Sequence, residues 1–268
     1  MKKSQEKKLL NLNFPIKSHN ALKELLDEKV IRYNNTFFIP DDQVSVPHLF
    51  TRKQDIEIAG FLSATIAWGN RKSIVANARR LVRIMDDAPY EFIVNSKSKD
   101  FKPILSFVHR TFNGDDCLFF ISSLQNIYKK FDSLEPLFSS MNEHGAAQAI
   151  GRFRAEFLET DHLPRSEKHL ANPKAGSSAK RINMFLRWMV RHDDHGVDFG
   201  LWRSINPATL ICPLDVHVGN VARKLGLLHR PANDWKAAEE LTANLRKFDP
   251  TDPVKYDFAM FGIGVYEK

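Results

Sequence analysis

Two cysteines in 268 residues, Cys117 and Cys212, are too few for a disulfide framework, a four-thiolate zinc site or an iron–sulfur cluster. A reduced, cytoplasmic setting is the expectation. Apolar runs are short as well. None approaches the roughly 20 residues that span a bilayer, so no membrane contact is expected. The first residues, MKKSQEKKLLNLNFPIKS, are basic but hold no apolar stretch or small-residue cleavage site of a secretory signal. Gly 12 and Pro 13 are modest counts, and neither a low-complexity stretch nor a fixed-period repeat is visible. Tyr is scarce at 5 against Phe at 20, and most phenylalanines fall at helical core spacing, which reads as packing rather than an exposed stacking surface. What is present is a globular balance, 43% hydrophobic and 26% charged, sufficient for one or two domains. Lys and Arg total 39 against 32 Asp and Glu, a net +7 that is compatible with a polyanionic partner without requiring one.

No segment alternates as a strand does, so the fold class is all-α, with about ten helices. After a lysine-rich arm over residues 1–19, a helix is expected near Ala21–Lys29. The stretch RYNNTFFIPDDQVSVPHLF, with two prolines and adjacent Asp41 and Asp42, reads as an ordered, extended loop. From Arg52 the period turns helical, with Ile56, Ala59, Leu62 and Ile66 on one face. Ser73 is then a candidate N-cap for a helix burying Ile74, Ala78, Leu81, Val82 and Met85 and exposing Arg79, Arg80 and Arg83. Further helices are expected from Asp115 or Asp116, around Ile150–Phe157, and over Lys180–Arg191, Val216–Leu225, Trp235–Phe248 and Pro253–Phe261.

Two stretches could carry chemistry. In NPKAGSSAKRINMFLRW, Pro173 and Gly176 mark a turn and Ser177 or Ser178 is placed to cap the next helix. Lys180 and Arg181 then sit in the first turn, where the helix dipole disfavours cations. They are either solvated surface residues or groups with a bound anion or chemical use of the amine to compensate. In ICPLDVHVGNVARKLGL, Asp215 stands at an N-cap position, which explains it structurally without any further role. His217 reads as a packing or hydrogen-bonding residue, and the run His192–His195 as a loop; no metal site is assigned.

These stretches resemble the helix–hairpin–helix base-excision DNA glycosylases, the endonuclease III-like superfamily. LDVHVGNVARKLGL is similar to the segment that carries their essential aspartate. AGSSAKRINMFLRW resembles their hairpin and second helix, with Gly176 and Lys180 spaced as the first hairpin glycine and the lysine are. DIEIAGFLSATIAWGNRKSIVANARRL resembles their first barrel-domain helices. From Tyr33 to the end the chain also resembles an uncharacterised bacterial family related to these enzymes. It departs from the superfamily in three ways: Ser178 replaces the second hairpin glycine, the step from Lys180 to Asp215 is a long 35 residues, and the four-cysteine cluster is absent.

The resemblance implies two helical domains with a helix–hairpin–helix and a cleft between them: a barrel-like domain at 52–190 ending in the hairpin, and a second formed by 1–51 plus 191–268. It implies Lys180 as nucleophile and Asp215 as the carboxylate that stabilises positive charge. Gly176, Ser177, Ser178 and Arg181 would contact phosphate, with Arg71, Lys72, Arg223 and Lys224 as a second basic fringe. Trp68 and Asn70 are candidates for a base pocket or a wedge. The implied protein is a monomer, nucleoid-associated, acting on double-stranded DNA to remove a damaged base, with an oxidised purine as one candidate and with abasic-site lyase chemistry. It needs no cofactor, though hairpin carbonyls could hold a monovalent cation. The alternative is a non-catalytic nucleic-acid-binding module; a scaffold that no longer binds DNA is a third reading.

Overall fold

A computed structural model describes residues 18–267, so most of the lysine-rich arm expected at the start lies outside the described residues. Within them the chain is all-α, without a β-strand. Twelve α-helices form it: α1 (His19–Tyr33), α2 (Lys53–Thr65), α3 (Arg71–Ile84) and α4 (Pro89–Asn95). Then come α5 (Lys102–Leu105), α6 (Gly114–Lys130), α7 (Met141–His144) and α8 (Ala146–Phe157). The last four are α9 (Lys180–Val190), α10 (Val216–Lys224), α11 (Trp235–Leu245) and α12 (Tyr256–Tyr266). Among the described residues no helix is long and apolar enough to cross a membrane.

Helix starts follow local hydrogen bonding. Asn70, not Ser73, caps α3, because its side chain three residues earlier already accepts the Ser73 N–H. Asn113, one residue before α6 and upstream of the expected aspartates, forms a reciprocal capping box with Asp116 at 3.2 and 2.9 Å. Residues 36–49 are not extended: they wind through three short 3₁₀ turns, Thr36–Asp41, Gln43–Ser45 and Pro47–Leu49. Asn35 and Asp42 cap the first two through their side chains. Pro40 and Pro47 fit such turns because proline fixes φ and lacks the N–H a longer helix needs.

On α3 the faces divide as the periodicity predicts, with Ile74, Ala78, Leu81 and Val82 buried. One continuous apolar core runs through the molecule. An aromatic cluster of Phe61, Phe120, Phe153, Phe157 and Phe185 forms part of it. α1 packs on α12 and α12 on α10, while α2 packs on α9. Every residue of α9 from Ile182 to Val190 is buried, so this helix is enclosed on all sides.

Such enclosure brings charge inside. Arg187 on α9 pairs with Asp198 at 3.2 Å and with Asp257, and Arg191 pairs with Asp198, Asp193 and Asp252. On α2 the fully buried Glu57 accepts from Tyr128 Oη (2.8 Å), Ser133 Oγ (2.5 Å), Leu134 N (3.1 Å) and Trp202 Nε1 (2.6 Å). A buried carboxylate is tolerated only when its lone pairs are filled in this way.

Candidate functional site

The hairpin before α9 rests on backbone conformation. Asn172 caps the 3₁₀ turn Pro173–Ala175, and Gly176 follows at φ +87°. Nothing lies within 4 Å of where a Cβ would stand there, so conformation rather than crowding calls for glycine. Ala179 takes φ +52° as the residue before α9, a left-handed conformation costing an L-residue roughly 1–2 kcal/mol. Neither Ser177 nor Ser178 caps that helix. Ser177 Oγ instead accepts the Ala179 N–H at 3.1 Å, and Asn183 Nδ2 donates to the Ser178 carbonyl at 3.2 Å, which together hold the strained residue.

Two bonds seat the hairpin on the segments around α10 and α11. Ser178 Oγ donates to the Leu214 carbonyl at 3.3 Å, and the Trp235 N–H donates to the Gly176 carbonyl at 3.1 Å. Asp215 follows directly and caps α10, its Oδ1 accepting the Val218 N–H at 2.9 Å. Its other oxygen lies 4.0 Å from Lys180 Nζ, with the two side chains 26% and 23% exposed. The N-cap role and the approach to Lys180 thus use different oxygens of one carboxylate.

Lys180 and Asp215 both line an open cleft of about 640 Å³, within the size range of small-molecule sites. Trp68, Arg71 and Arg181 line it as well. So do Asp42, Gln43, His217 and Phe261, to none of which the sequence assigned a role in chemistry. His217, expected to pack or to hydrogen-bond, is exposed at the cleft. A smaller recess of about 40 Å³ shares Asp42, Gln43, Lys180 and Asp215 and is closed by Phe38, Phe258 and the Arg187–Asp257 pair. Burial pushes the Asp257 carboxyl up to about 6, partly offset by Arg187. Burial likewise pushes Asp42 up, against the pull of Arg71, Arg187 and Lys180.

The remaining expected residues divide. Arg71 stands over the Phe261 ring at 5.1 Å and donates to Tyr266 Oη at 3.3 Å, on the cleft wall. Arg181 is turned back into the protein: it donates to the Thr65 carbonyl, lies 4.9 Å from the Trp68 ring centroid, and is pulled down to about 10 by burial. Lys72 is exposed on the first turn of α3, and Asn70 is spent as a cap. Arg223 donates to the Arg230 and Ala232 carbonyls and to Asn233, a use inside the protein rather than a free phosphate contact. It and Lys224 close α10, roughly 12 Å along the helix from Asp215. The basic fringe therefore reaches the cleft through Arg71 and Lys180, with Arg181 lining it but turned inward, and leaves Arg223 and Lys224 outside it. Among the described residues no group of three or more His, Cys, Asp or Glu side chains is placed to hold a metal ion.

Trp68 is braced from below. His169 stacks on its ring at 5.7 Å, and His109 Nε2 meets its carbonyl at 3.2 Å. His169 Nε2 is 3.4 Å from Asp116 Oδ2 but forms no hydrogen bond. Burial, helped by Arg181, Lys168 and Arg165, outweighs that carboxylate and pulls the imidazole down to about 4. The folded state thus prefers neutral His169. Its contribution is complete above the unfolded value near 6.5 and is lost as pH falls toward 4. Between pH 7 and pH 4, wild type should lose about 3 kcal/mol more stability than His169→Phe in urea titrations. Equal acid loss in both proteins would exclude the imidazole as the cause.

A family model described as a protein of unknown function (DUF2400) matches residues 42–266, and the chain belongs to that family. No curated protein and no solved structure matches it.

Proposed function

We propose that this DUF2400 protein is a DNA base-excision glycosylase with abasic-site lyase activity, acting on a damaged base in double-stranded DNA. The observation that carries the reading is the approach of Lys180 Nζ to Asp215 Oδ2, 4.0 Å apart in a cleft bordered by Trp68 and Arg71. An amine and a carboxylate in that relation can exchange a proton through one water or a small side-chain movement.

The chemistry runs as follows. A damaged nucleotide leaves the stack and enters the cleft, because its C1′ is out of reach within the duplex. The bond from C1′ to the base breaks, the base leaves with the electron pair, and positive charge develops on the sugar, where the Asp215 carboxylate stabilises it. Lys180 Nζ attacks C1′ and passes a proton to Asp215, and opening of the sugar ring gives an iminium that leads to strand cleavage. Arg71 offers a cation for the flanking phosphates.

The test is base release from duplexes carrying single lesions, paired with borohydride reduction on an abasic duplex. Hydride addition to the iminium carbon leaves a stable amine linking protein and DNA. Asp215→Asn keeps an oxygen for the Val218 cap and removes the charge, and it should slow base release about a hundredfold or more. Release unchanged in that variant would remove Asp215 from the mechanism. The second reading, a non-catalytic DNA-binding module, is favoured by Ser178, whose hydroxyl is committed to Leu214 where a second glycine would bring its amide to phosphate. It predicts salt-dependent duplex binding with neither base release nor adduct.

A further inference from the structure

Arg181 carries a positive charge into the protein without a carboxylate beside it. Its guanidinium donates to the Thr65 carbonyl and stands 4.9 Å from the centre of the Trp68 ring. Among the described residues it forms no other hydrogen bond and no ion pair. Burial alone shifts it, down to about 10. The other inward arginines differ. Arg187 pairs with Asp198 and Asp257, Arg191 with Asp193, Asp198 and Asp252, and Arg154 with Glu167. A buried charge is tolerated when it is paired, and a carbonyl and a ring face offset only part of its desolvation.

Arg181 also lines a recess of about 20 Å³, room for one particle the size of a water molecule. Phe61, Ile150, Phe153, Ile182 and Phe185 supply apolar walls, and no aspartate or glutamate takes part in the lining. The other basic side chains on it are Arg154, already neutralised by Glu167, and His169. His169 is 5% exposed, and its Nε2 is buried without a hydrogen-bond partner. Arg181 is one of the charges that hold this imidazole neutral, so its field is felt across the recess. A water molecule in that space would leave the charge uncancelled and would find few of the two to four polar partners it needs. A small anion cancels the charge directly. We infer that Arg181 and the recess beside it form a site for a small monovalent anion of chloride's size. Occupancy keeps the guanidinium turned inward near Trp68 and away from phosphates in the open cleft, which Arg181 also lines. The site is independent of the base-excision reading.

The experiment is thermal unfolding of the full chain at constant ionic strength, with potassium gluconate exchanged stepwise for potassium chloride, bromide or sulfate. Gluconate and sulfate are too large for the recess. Wild type should show a rise in unfolding midpoint of about 3 °C or more in chloride and in bromide that reaches a plateau, as binding to one site requires. Sulfate, which stabilises proteins by exclusion from their surface, should give a rise without a plateau. Arg181→Met keeps an unbranched apolar stem and removes the charge, so its midpoint should be the same in chloride as in gluconate. Arg71→Met removes a cation from the cleft wall only and should respond as wild type does. Crystals of wild type grown in bromide locate the ion independently of any variant, by an anomalous peak expected in the recess beside the Arg181 guanidinium. No plateau in wild type, an equal response in Arg181→Met, a response abolished by Arg71→Met, or water alone in the recess of the bromide crystals would each overturn the inference. Should Arg181→Met fail to fold, the wild-type plateau and the bromide peak decide.

Discussion

Lys180→Gln is expected to abolish the borohydride-trapped adduct on an abasic duplex, a drop of about a thousandfold or more, to the limit of detection. An amine is needed to form the iminium that hydride reduces and an amide cannot replace it, and Lys180 is the lysine lining both the cleft and the recess beside Asp215. Glutamine is one atom shorter but remains polar and a good helix former, so the first turn of α9 and the left-handed Ala179 before it keep their surroundings. The informative control is Arg181→Gln. It removes an inward-turned guanidinium at the same cleft but no amine, so its adduct should still form. Adduct of equal yield from Lys180→Gln and wild type would place the nucleophile elsewhere, and the proposed chemistry would fail with it.

The second large effect lies away from the cleft. Glu57→Ala should destabilise the fold by about 4 kcal/mol, read as a lower urea midpoint, because it strands four donors and opens a cavity. Glu57→Gln is the sharper variant. Its amide can present an oxygen to only one of the two pairs of donors now satisfied. One pair, on Oε1, is Ser133 Oγ and Trp202 Nε1; the other, on Oε2, is Tyr128 Oη and the Leu134 N–H. Hydroxyls can reverse and accept, but the indole and backbone N–H groups only donate. Whichever way the amide turns, one obligate donor faces an NH₂ group. A loss of about 2 kcal/mol is expected for Gln, smaller than for Ala. A Gln variant as stable as wild type would show that the site tolerates loss of the charge.

Much of the helical framework was legible before any coordinates. The spacing of Ile74, Ala78, Leu81 and Val82 predicts the buried face of α3, and Asp215 as a cap predicts the start of α10. The cap of α9 was not legible. Serines 177 and 178 have the right chemistry for it, yet the chain reaches α9 through a left-handed alanine, with one serine turned to its own backbone and the other to Leu214. Asp42 lies in a Pro-Asp-Asp-Gln run that marks an ordered loop, but nothing within that run indicates which aspartate faces a cleft.

Sequence by itself determined most of the longer helices, their apolar faces and the Asp215 cap of α10, because those depend on groups within about four residues of each other; the caps of α3, α6 and α9 it misplaced. It also singled out Lys180 and Asp215, through a resemblance that left a structural role for each open. Only the tertiary structure decided that these two side chains stand 4.0 Å apart, that Asp42 and Gln43 join them, and that Arg181 and Arg223 turn inward. It alone disclosed the partners of Glu57, which are drawn from as far away as Trp202. The physical reason is common to all of these. A buried polar group must be satisfied by whatever the packed chain brings beside it, and that neighbour is set by how helices pack rather than by what adjoins it along the chain.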